Sequence, residues 1–179
     1  MPNDIYARIK AFSITPRVVE ITWTPSKAGE WVYAGQNKKY SYTATVNNKA
    51  KNTDEVSINY TLTKDGEFID YFEICDAATY KWTASSLSGA ASSNYTLEGA
   101  SETTKTQSIK CRLLDDFLWD TLEYTYNGSV HQPVASVRSG IILPDTVNVT
   151  SYDIKLKTGG TVTTPVDAGV YQIKPLASV

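Results

Sequence analysis

Short runs in which apolar and polar residues alternate fill this chain, and they restrict what it can fold into. Such runs occupy residues 40–46, 56–62, 80–84 and 152–156. Successive side chains of a strand point to opposite faces, so each run offers one face to a core and the other to water. Turn-forming pairs such as Asp65-Gly66 separate the runs. The pattern predicts an all-β fold built from antiparallel sandwiches.

One segment shows helical periodicity instead. Leu114, Phe117, Leu118 and Leu122 recur at helical spacing. We do not predict a helix here, because the segment belongs to the internal repeat described next. A short helical turn near Asp115 stays open.

An internal repeat predicts two domains. Matching segments follow one another in the same order, and their offset drifts slightly, as expected for two copies that differ by loop insertions. The matched segments are 13–18 with 108–113, 33–35 with 126–128, 44–46 with 135–137, and 76–80 with 167–171. Each copy has about the size of one Ig-like sandwich. We expect domain 1 at residues 1–103 and domain 2 at residues 104–179, joined through the small polar residues 99–104.

The matched segments resemble the MBG-type repeat, an Ig-like module that occurs in tandem in bacterial surface proteins. The motifs that carry the resemblance are Ile14-Thr15-Pro16-Arg17, Tyr126-Asn127-Gly128, Asn94-Tyr95-Thr96-Leu97 and Asp167-Ala168-Gly169-Val170-Tyr171. The first copy departs from the pattern, with Ala78 where the family prefers glycine. The resemblance implies two tandem Ig-like β-sandwich domains that serve spacing, display or adhesion, with no catalytic residues to carry over.

The repeated motifs are expected to shape turns and corners. The residues concerned are Tyr33, Gly35, Asp76, Tyr80, Tyr126, Gly128, Asp167, Gly169 and Tyr171. Gly169 would permit a tight turn or a positive φ, and Tyr171 would pack inward with its hydroxyl reaching the backbone. Asp76 and Asp167 would accept turn amides. The expected core comprises Val19, Ile21, Trp23, Tyr42, Ile58 and Trp82 with their counterparts in the second copy.

The composition excludes several classes of function. Lys and Arg number 17 against 19 Asp and Glu, a formal net charge of −2, whereas nucleic-acid binding needs a concentrated basic surface. One histidine, two cysteines and one methionine leave little material for metal, thiol or haem chemistry. No stretch approaches the roughly 18 apolar residues of a membrane-spanning helix. We expect no cofactor, no metal site, no nucleic-acid partner and no membrane insertion.

The candidate reactive residues are few. His131 is expected on a strand edge, and nothing near it resembles a nucleophile elbow. Cys75 and Cys111 lie in different copies, where each is expected to be a small buried hydrophobe, with an interdomain disulfide as the alternative. We expect no catalytic residue and a non-enzymatic protein.

The second copy ends soon after its last matched strand, whereas a β-like segment precedes the first copy. The apolar residues of that segment are Ile5, Tyr6, Ile9 and Phe12. Because unpaired strand edges recruit strands, this segment is a candidate to complete domain 2 of a neighbouring copy. Pairing within its own domain is the alternative.

These patterns favour a structural, displayed component of an extracellular assembly with protein partners. The N-terminus lacks the features of a secretory signal, which favours a phage virion protein of the head or tail. The alternative is a piece of a bacterial cell-surface adhesin that acts as a spacer or binds a ligand. A third hypothesis is glycan binding on exposed Trp31, Trp82 or Trp119.

Overall fold

The computed structural model describes residues 11–35, 40–70 and 74–178, with backbone alone for residues 177 and 178. It confirms an all-β chain, with thirteen strands in the described residues. A 3₁₀ helix spans Ser92–Asn94. Residues 111–116 form no helix and lead into a strand, so the helical turn near Asp115, which was the alternative prediction, is absent. The strands are β1 (Arg17–Val18), β2 (Ile21–Pro25), β3 (Trp31–Val32), β4 (Tyr42–Val46), β5 (Ser57–Lys64), β6 (Glu67–Phe68), β7 (Thr79–Ser88), β8 (Tyr95–Thr96), β9 (Thr104–Lys110), β10 (Phe117–Trp119), β11 (Ala135–Val137), β12 (Asn148–Leu156) and β13 (Tyr171–Ser178).

The described residues divide into two compact units. Unit 1 contains residues 11–31, 40–70 and 74–110, and unit 2 contains residues 32–35 and 111–178. The division therefore falls after Lys110 and not after residue 103, where the sequence suggested it. The physical reason is that β9 pairs with β7, so these residues complete a sheet of unit 1. The segment that carries Tyr33 and Gly35 belongs to unit 2, although the repeat places it in the first copy.

Unit 1 is built from packed sheets. Its largest sheet has the strand order β3-β9-β7-β5-β6. Two further pairs accompany it: β2 with β4, which are antiparallel, and β1 with β8, which are parallel. β5 and β6 form a hairpin through Asp65 and Gly66, whose φ values of 49° and 98° suit a tight two-residue turn. This architecture is β-sandwich-like; the assignment to the Ig-like class stays a prediction.

An aromatic core fills unit 1. Trp31 and Trp82 are completely buried, and their rings meet edge to face at 5.9 Å. Tyr42 packs against both rings, and Tyr40 stacks on Trp31 at 5.0 Å. β2 alternates as well, with Ile21 and Trp23 buried and Thr22 and Thr24 exposed. All six residues expected in this core are buried: Val19, Ile21, Trp23, Tyr42, Ile58 and Trp82.

Unit 2 buries far less apolar surface. Its strands form two separate pairs, β10 with β11 and β12 with β13. Among the described residues of unit 2, Ala135 and Ile154 are the buried hydrophobic ones. Trp119, the expected counterpart of the buried Trp23, is only half-buried, so the core of the first copy is not reproduced here. The reason is local: residues 120–134 contain no strand that would align their apolar side chains on one face.

A hydrogen bond from Tyr95 makes part of the stability of unit 1 depend on pH. The Tyr95 hydroxyl donates to Oδ2 of Asp54 at 2.5 Å and accepts the amide of Ala50 at 2.7 Å. The bond to Tyr95 lowers the pKa of Asp54. A carboxylate with a lowered folded-state pKa stabilises the fold above its unfolded-state pKa of about 3.9, and the stabilisation disappears as the pH falls through the folded-state value.

The substitution Tyr95→Phe should therefore flatten the pH dependence. We expect the loss of melting temperature between neutral and acidic pH to be smaller in this variant than in the unaltered protein. Tyr152→Phe is the matched control, because the Tyr152 hydroxyl accepts an amide from Ala135 and has no carboxylate in that bond. Calorimetry across the pH range provides the measurement. Equal acid sensitivity of Tyr95→Phe and the unaltered chain would contradict the role given to Tyr95.

Candidate functional site

The two Asp-x-x-x-Tyr corners share one hydrogen bond. The Tyr80 hydroxyl donates to the carbonyl oxygen of Asp76 at 3.0 Å, and the Tyr171 hydroxyl donates to that of Asp167 at 2.7 Å. Tyr80 is completely buried, and this burial raises its pKa. In both corners the tyrosine hydroxyl does reach the backbone four residues earlier. The corners are therefore closed structural elements, as the repeat suggested.

The aspartates of the two corners do different things. The Asp76 carboxylate pairs with the ammonium group of Lys64 on β5. This differs from the expected role of capping turn amides, which Asp65 performs instead by accepting the amide of Thr79 at 2.9 Å. Asp167 holds Tyr171 through its backbone carbonyl, which leaves its side chain at the surface.

Gly169 does not need the backbone freedom expected of it. Its φ is not positive, and an added Cβ would make ordinary contacts of 3.8 Å with Leu156 and Tyr171. Ala78, at the corresponding position of the first corner, is therefore compatible with the same geometry. The positive φ values lie at the other two predicted turn glycines, 64° at Gly35 and 77° at Gly128.

Tyr33 and Gly35 act within unit 2. The Tyr33 hydroxyl donates to Oδ2 of Asp145 at 2.5 Å. A Cβ on Gly35 would overlap the side chain of Ile142. The two residues therefore hold segment 32–35 against the 142–145 loop. Tyr126 and Gly128, their counterparts in the repeat, form a different turn.

A cleft of about 350 Å³ opens in unit 2 beside the second corner. One wall is the 122–126 segment, where Leu122, Tyr124 and Tyr126 alternate and are all exposed. The opposite wall is the corner that leads into β13. We call this cavity the tyrosine cleft. Its lining residues are Leu122, Tyr124, Tyr126, His131, Pro133, Ile154, Pro165, Val166, Asp167, Ala168, Gly169, Val170, Tyr171 and Ile173.

His131 lies at the base of the Tyr124 wall. The imidazole stacks on the Tyr124 ring, with 4.7 Å between centroids and 25° between planes. The His131 amide donates to the carbonyl oxygen of Pro165 at 3.0 Å, which ties the two walls together. Nε2 of His131 is buried and has no hydrogen-bond partner among the described residues. Desolvation raises the pKa of Tyr124, with a further contribution from the charge of Asp120.

The cleft was not predicted as a site. His131 was expected on a strand edge, whereas it lies in a loop. Four of its neighbours in the cleft were predicted only as turn residues: Tyr126, Asp167, Gly169 and Tyr171. Nothing in the sequence indicated that they share a cavity. The alternation of Leu122, Tyr124 and Tyr126 was the available signal, and it lies outside any strand.

Two of the three tryptophans proposed as a glycan platform cannot serve as one. Trp31 and Trp82 are completely buried in unit 1, so a ligand cannot stack on them. Trp119 is half-buried on β10 and packs against Tyr152 at 6.2 Å. It is absent from the cleft lining.

The remaining candidate residues are placed as follows. Cys75 and Cys111 form no disulfide. The expectation that each is a buried hydrophobe was wrong for Cys111, which is exposed, whereas Cys75 is half-buried. Phe12 is 87% exposed, while Ile5, Tyr6 and Ile9 lie outside the described residues. Within residues 11–35, 40–70 and 74–178, no three His, Cys, Asp or Glu side chains gather into a group that could hold a metal ion.

The part of the chain that the structure describes contains no helix with the length and apolar character needed to cross a bilayer. Comparison with family models, curated proteins and solved structures gives no match for this chain.

Proposed function

We propose that this chain is a non-enzymatic structural protein of an extracellular assembly, in which unit 1 is the rigid body and unit 2 makes the protein contacts. A phage virion is the leading setting, and a bacterial cell surface is the alternative. The observation that carries the proposal is a contrast in burial: unit 1 has a large buried apolar core, whereas unit 2 leaves many of its large apolar side chains exposed.

The apolar side chains of unit 2 that lie at the surface are large and numerous. Beyond the cleft they include Leu113, Leu118, Val134 and Leu143, and Leu143 is 86% exposed. A β-sheet must cover its apolar face against another layer, and extended exposed apolar surface marks interaction sites. The contact of Trp119 with Tyr152 joins the two strand pairs of unit 2 but leaves these side chains exposed. A second protein that covers them would remove this apolar area from water.

Strand edges add a second means of association. β12 and β13 form a two-stranded sheet, in which Asn148 lies opposite Ser178 and Leu156 lies opposite Tyr171. A two-stranded sheet is marginal alone and gains from added strands. Strand addition by a neighbouring copy, proposed from the sequence for the N-terminal segment, would use such an edge.

The distribution of reactive groups supports a non-enzymatic role. The tyrosine cleft places His131 with one carboxylate, that of Asp167, among its lining residues. The Asp76 carboxylate is engaged by Lys64 in unit 1. A hydrolytic site that works through a serine or cysteine nucleophile needs that residue within hydrogen-bond reach of a base, and the cleft lining includes neither residue type.

The double substitution Leu118→Ser/Leu143→Ser tests association through unit 2. We expect the unaltered protein to self-associate as its concentration rises, and the double variant to stay monomeric, because it loses exposed apolar area without touching a buried residue. Phe68→Ser is the matched control, since Phe68 is 78% exposed in unit 1. Light scattering coupled to size-exclusion chromatography gives the mass. A protein that is monomeric at every concentration, or a double variant that associates normally, would contradict the proposal.

The setting requires a separate measurement. Mass spectrometry of purified virus particles and of washed cell envelopes from the source organism would show which fraction carries the chain. Its presence in particles supports the virion setting, and its presence in envelopes alone supports the cell-surface alternative.

A further inference from the structure

We propose that the tyrosine cleft of unit 2 binds a neutral oligosaccharide. This inference rests on the non-enzymatic role proposed above and identifies a ligand for unit 2 that is independent of its protein contacts. It is carried by a juxtaposition: three tyrosine rings, a histidine with an unpartnered nitrogen and one carboxylate surround a single open cavity.

The size of the cavity suits a small ligand. Its volume of about 350 Å³ lies at the lower end of the range found for small-molecule sites, about 300–1,000 Å³. Such sites combine mostly apolar walls with a few convergent polar groups. Leu122, Val170 and the two prolines provide apolar walls here.

The aromatic rings of Tyr124 and Tyr126 supply flat, partly exposed surfaces in the lining of the cleft. Tyr124 is 41% exposed and Tyr126 is 63% exposed, so both rings remain open to a ligand although they line a cavity. A tyrosine presents an apolar ring together with a polar tip. A pyranose ring has the complementary character, with an apolar face of C–H groups and a rim of hydroxyls.

The charge of the lining excludes several ligand classes. Asp167 is the charged residue of the lining, which contains no lysine and no arginine. A phosphate or carboxylate ligand would therefore meet repulsion and no counter-charge. A carboxylate only accepts hydrogen bonds, so the site favours a ligand that is rich in donors and carries no negative charge.

The same chemistry distinguishes a sugar from a proline-rich peptide. Aromatic grooves also bind polyproline helices, and the cleft is lined by tyrosines. A proline-rich peptide, however, offers carbonyl acceptors and few donors, because proline lacks a backbone N–H. The Tyr171 hydroxyl already donates to the backbone carbonyl of Asp167, so the tyrosine donors left for such carbonyls are the hydroxyls of Tyr124 and Tyr126. Hydroxyl groups match the Asp167 carboxylate better.

His131 supplies a further polar contact. Its Nε2 is buried and has no hydrogen-bond partner within the described part of the chain, and its ring stacks on that of Tyr124. Buried polar atoms normally have a hydrogen-bond partner. A sugar hydroxyl both donates and accepts, so it can pair with this nitrogen in either tautomer.

Calorimetric titration of the full chain tests the proposal. The probes are cellotetraose, maltotetraose, chitotetraose and mannotetraose, with decaproline as the competing ligand class. We expect at least one oligosaccharide to bind, and we expect Tyr126→Ala and Asp167→Asn each to weaken that binding by about tenfold or more. Asp167→Asn keeps the backbone carbonyl that holds Tyr171, and Tyr126 is too exposed for its loss to unfold unit 2. Far-UV circular dichroism checks both variants.

The controls separate this proposal from the previous one. Phe68→Ala changes an exposed aromatic residue of unit 1 and should leave sugar binding unchanged. Leu118→Ser/Leu143→Ser should abolish self-association while sugar binding persists, because neither leucine lines the cleft. Failure of all four oligosaccharides to bind, binding of decaproline alone, or undiminished sugar binding by Tyr126→Ala would overturn the glycan site without affecting the association test.

Discussion

Replacing Trp82 by alanine should lower the free energy of unfolding of unit 1 by about 3–5 kcal/mol. Trp82 is completely buried and contacts the rings of Trp31, Tyr42 and Tyr80, with centroids 5.1–6.3 Å apart. Its removal leaves a cavity among large rigid rings, which cannot close by small rotations. The loss of a buried indole nitrogen that has no partner among the described residues offsets a small part of this cost.

Chemical denaturation followed by far-UV circular dichroism measures this loss without relying on tryptophan fluorescence. Hydrogen exchange of the β5 and β7 amides assigns the transition to unit 1. Phe68→Ala is the control, because an exposed side chain should change stability by no more than about 0.5 kcal/mol. A loss below about 1 kcal/mol for Trp82→Ala would show that the aromatic cluster is not the core of unit 1.

The substitution Gly89→Ala should be the second most damaging change, with an expected loss of about 3 kcal/mol or more. Gly89 has a φ of +105°, and a Cβ there would overlap the carbonyl group of Glu55. That carbonyl accepts the amide of Ala91 at 3.0 Å, so it cannot move away without breaking a turn. The variant pays both the left-handed strain of a non-glycine residue and the displacement of backbone.

Gly66→Ala separates these two costs. Gly66 has a similar φ of +98°, but an added Cβ would meet nothing within 4 Å. We expect this variant to lose only the backbone term, about 1–2 kcal/mol. The difference between the two variants in denaturant midpoints then measures the overlap with Glu55. Equal losses in both would mean that the close approach of the two backbones at Gly89 has no energetic consequence.

The sequence predicted the core of unit 1 well and that of unit 2 poorly, for one physical reason. In β2 and β7 the two-residue alternation coincides with strands that backbone pairing holds in place, β2 against β4 and β7 between β5 and β9. Apolar positions such as Trp23 and Trp82 are therefore buried. In residues 120–134 similar apolar residues lie outside strands. Periodicity predicts burial only where backbone pairing keeps the side chains on one face.

The corner motifs were predictable at the level of local geometry. An aspartate followed four residues later by a tyrosine indicated the hydroxyl-to-backbone bond, and both corners have it. The expected positive φ at Gly169 was wrong, because the presence of a glycine in a motif does not by itself reveal its backbone conformation. Ala78, at the corresponding position of the first corner, already indicated that this position tolerates a side chain.

The amino-acid sequence by itself determined the all-β class, the Trp23, Tyr42 and Trp82 part of the aromatic core, and the two tyrosine corners, since each depends on spacing along a few residues. It did not reveal that Trp31 is buried at the centre of that core. Tertiary structure alone decided where unit 1 ends, that Tyr33 and Gly35 belong to unit 2, and that His131 meets Tyr124 in a cleft. Those outcomes depend on which distant strands pair and which loops pack together, and local periodicity carries no information on that choice.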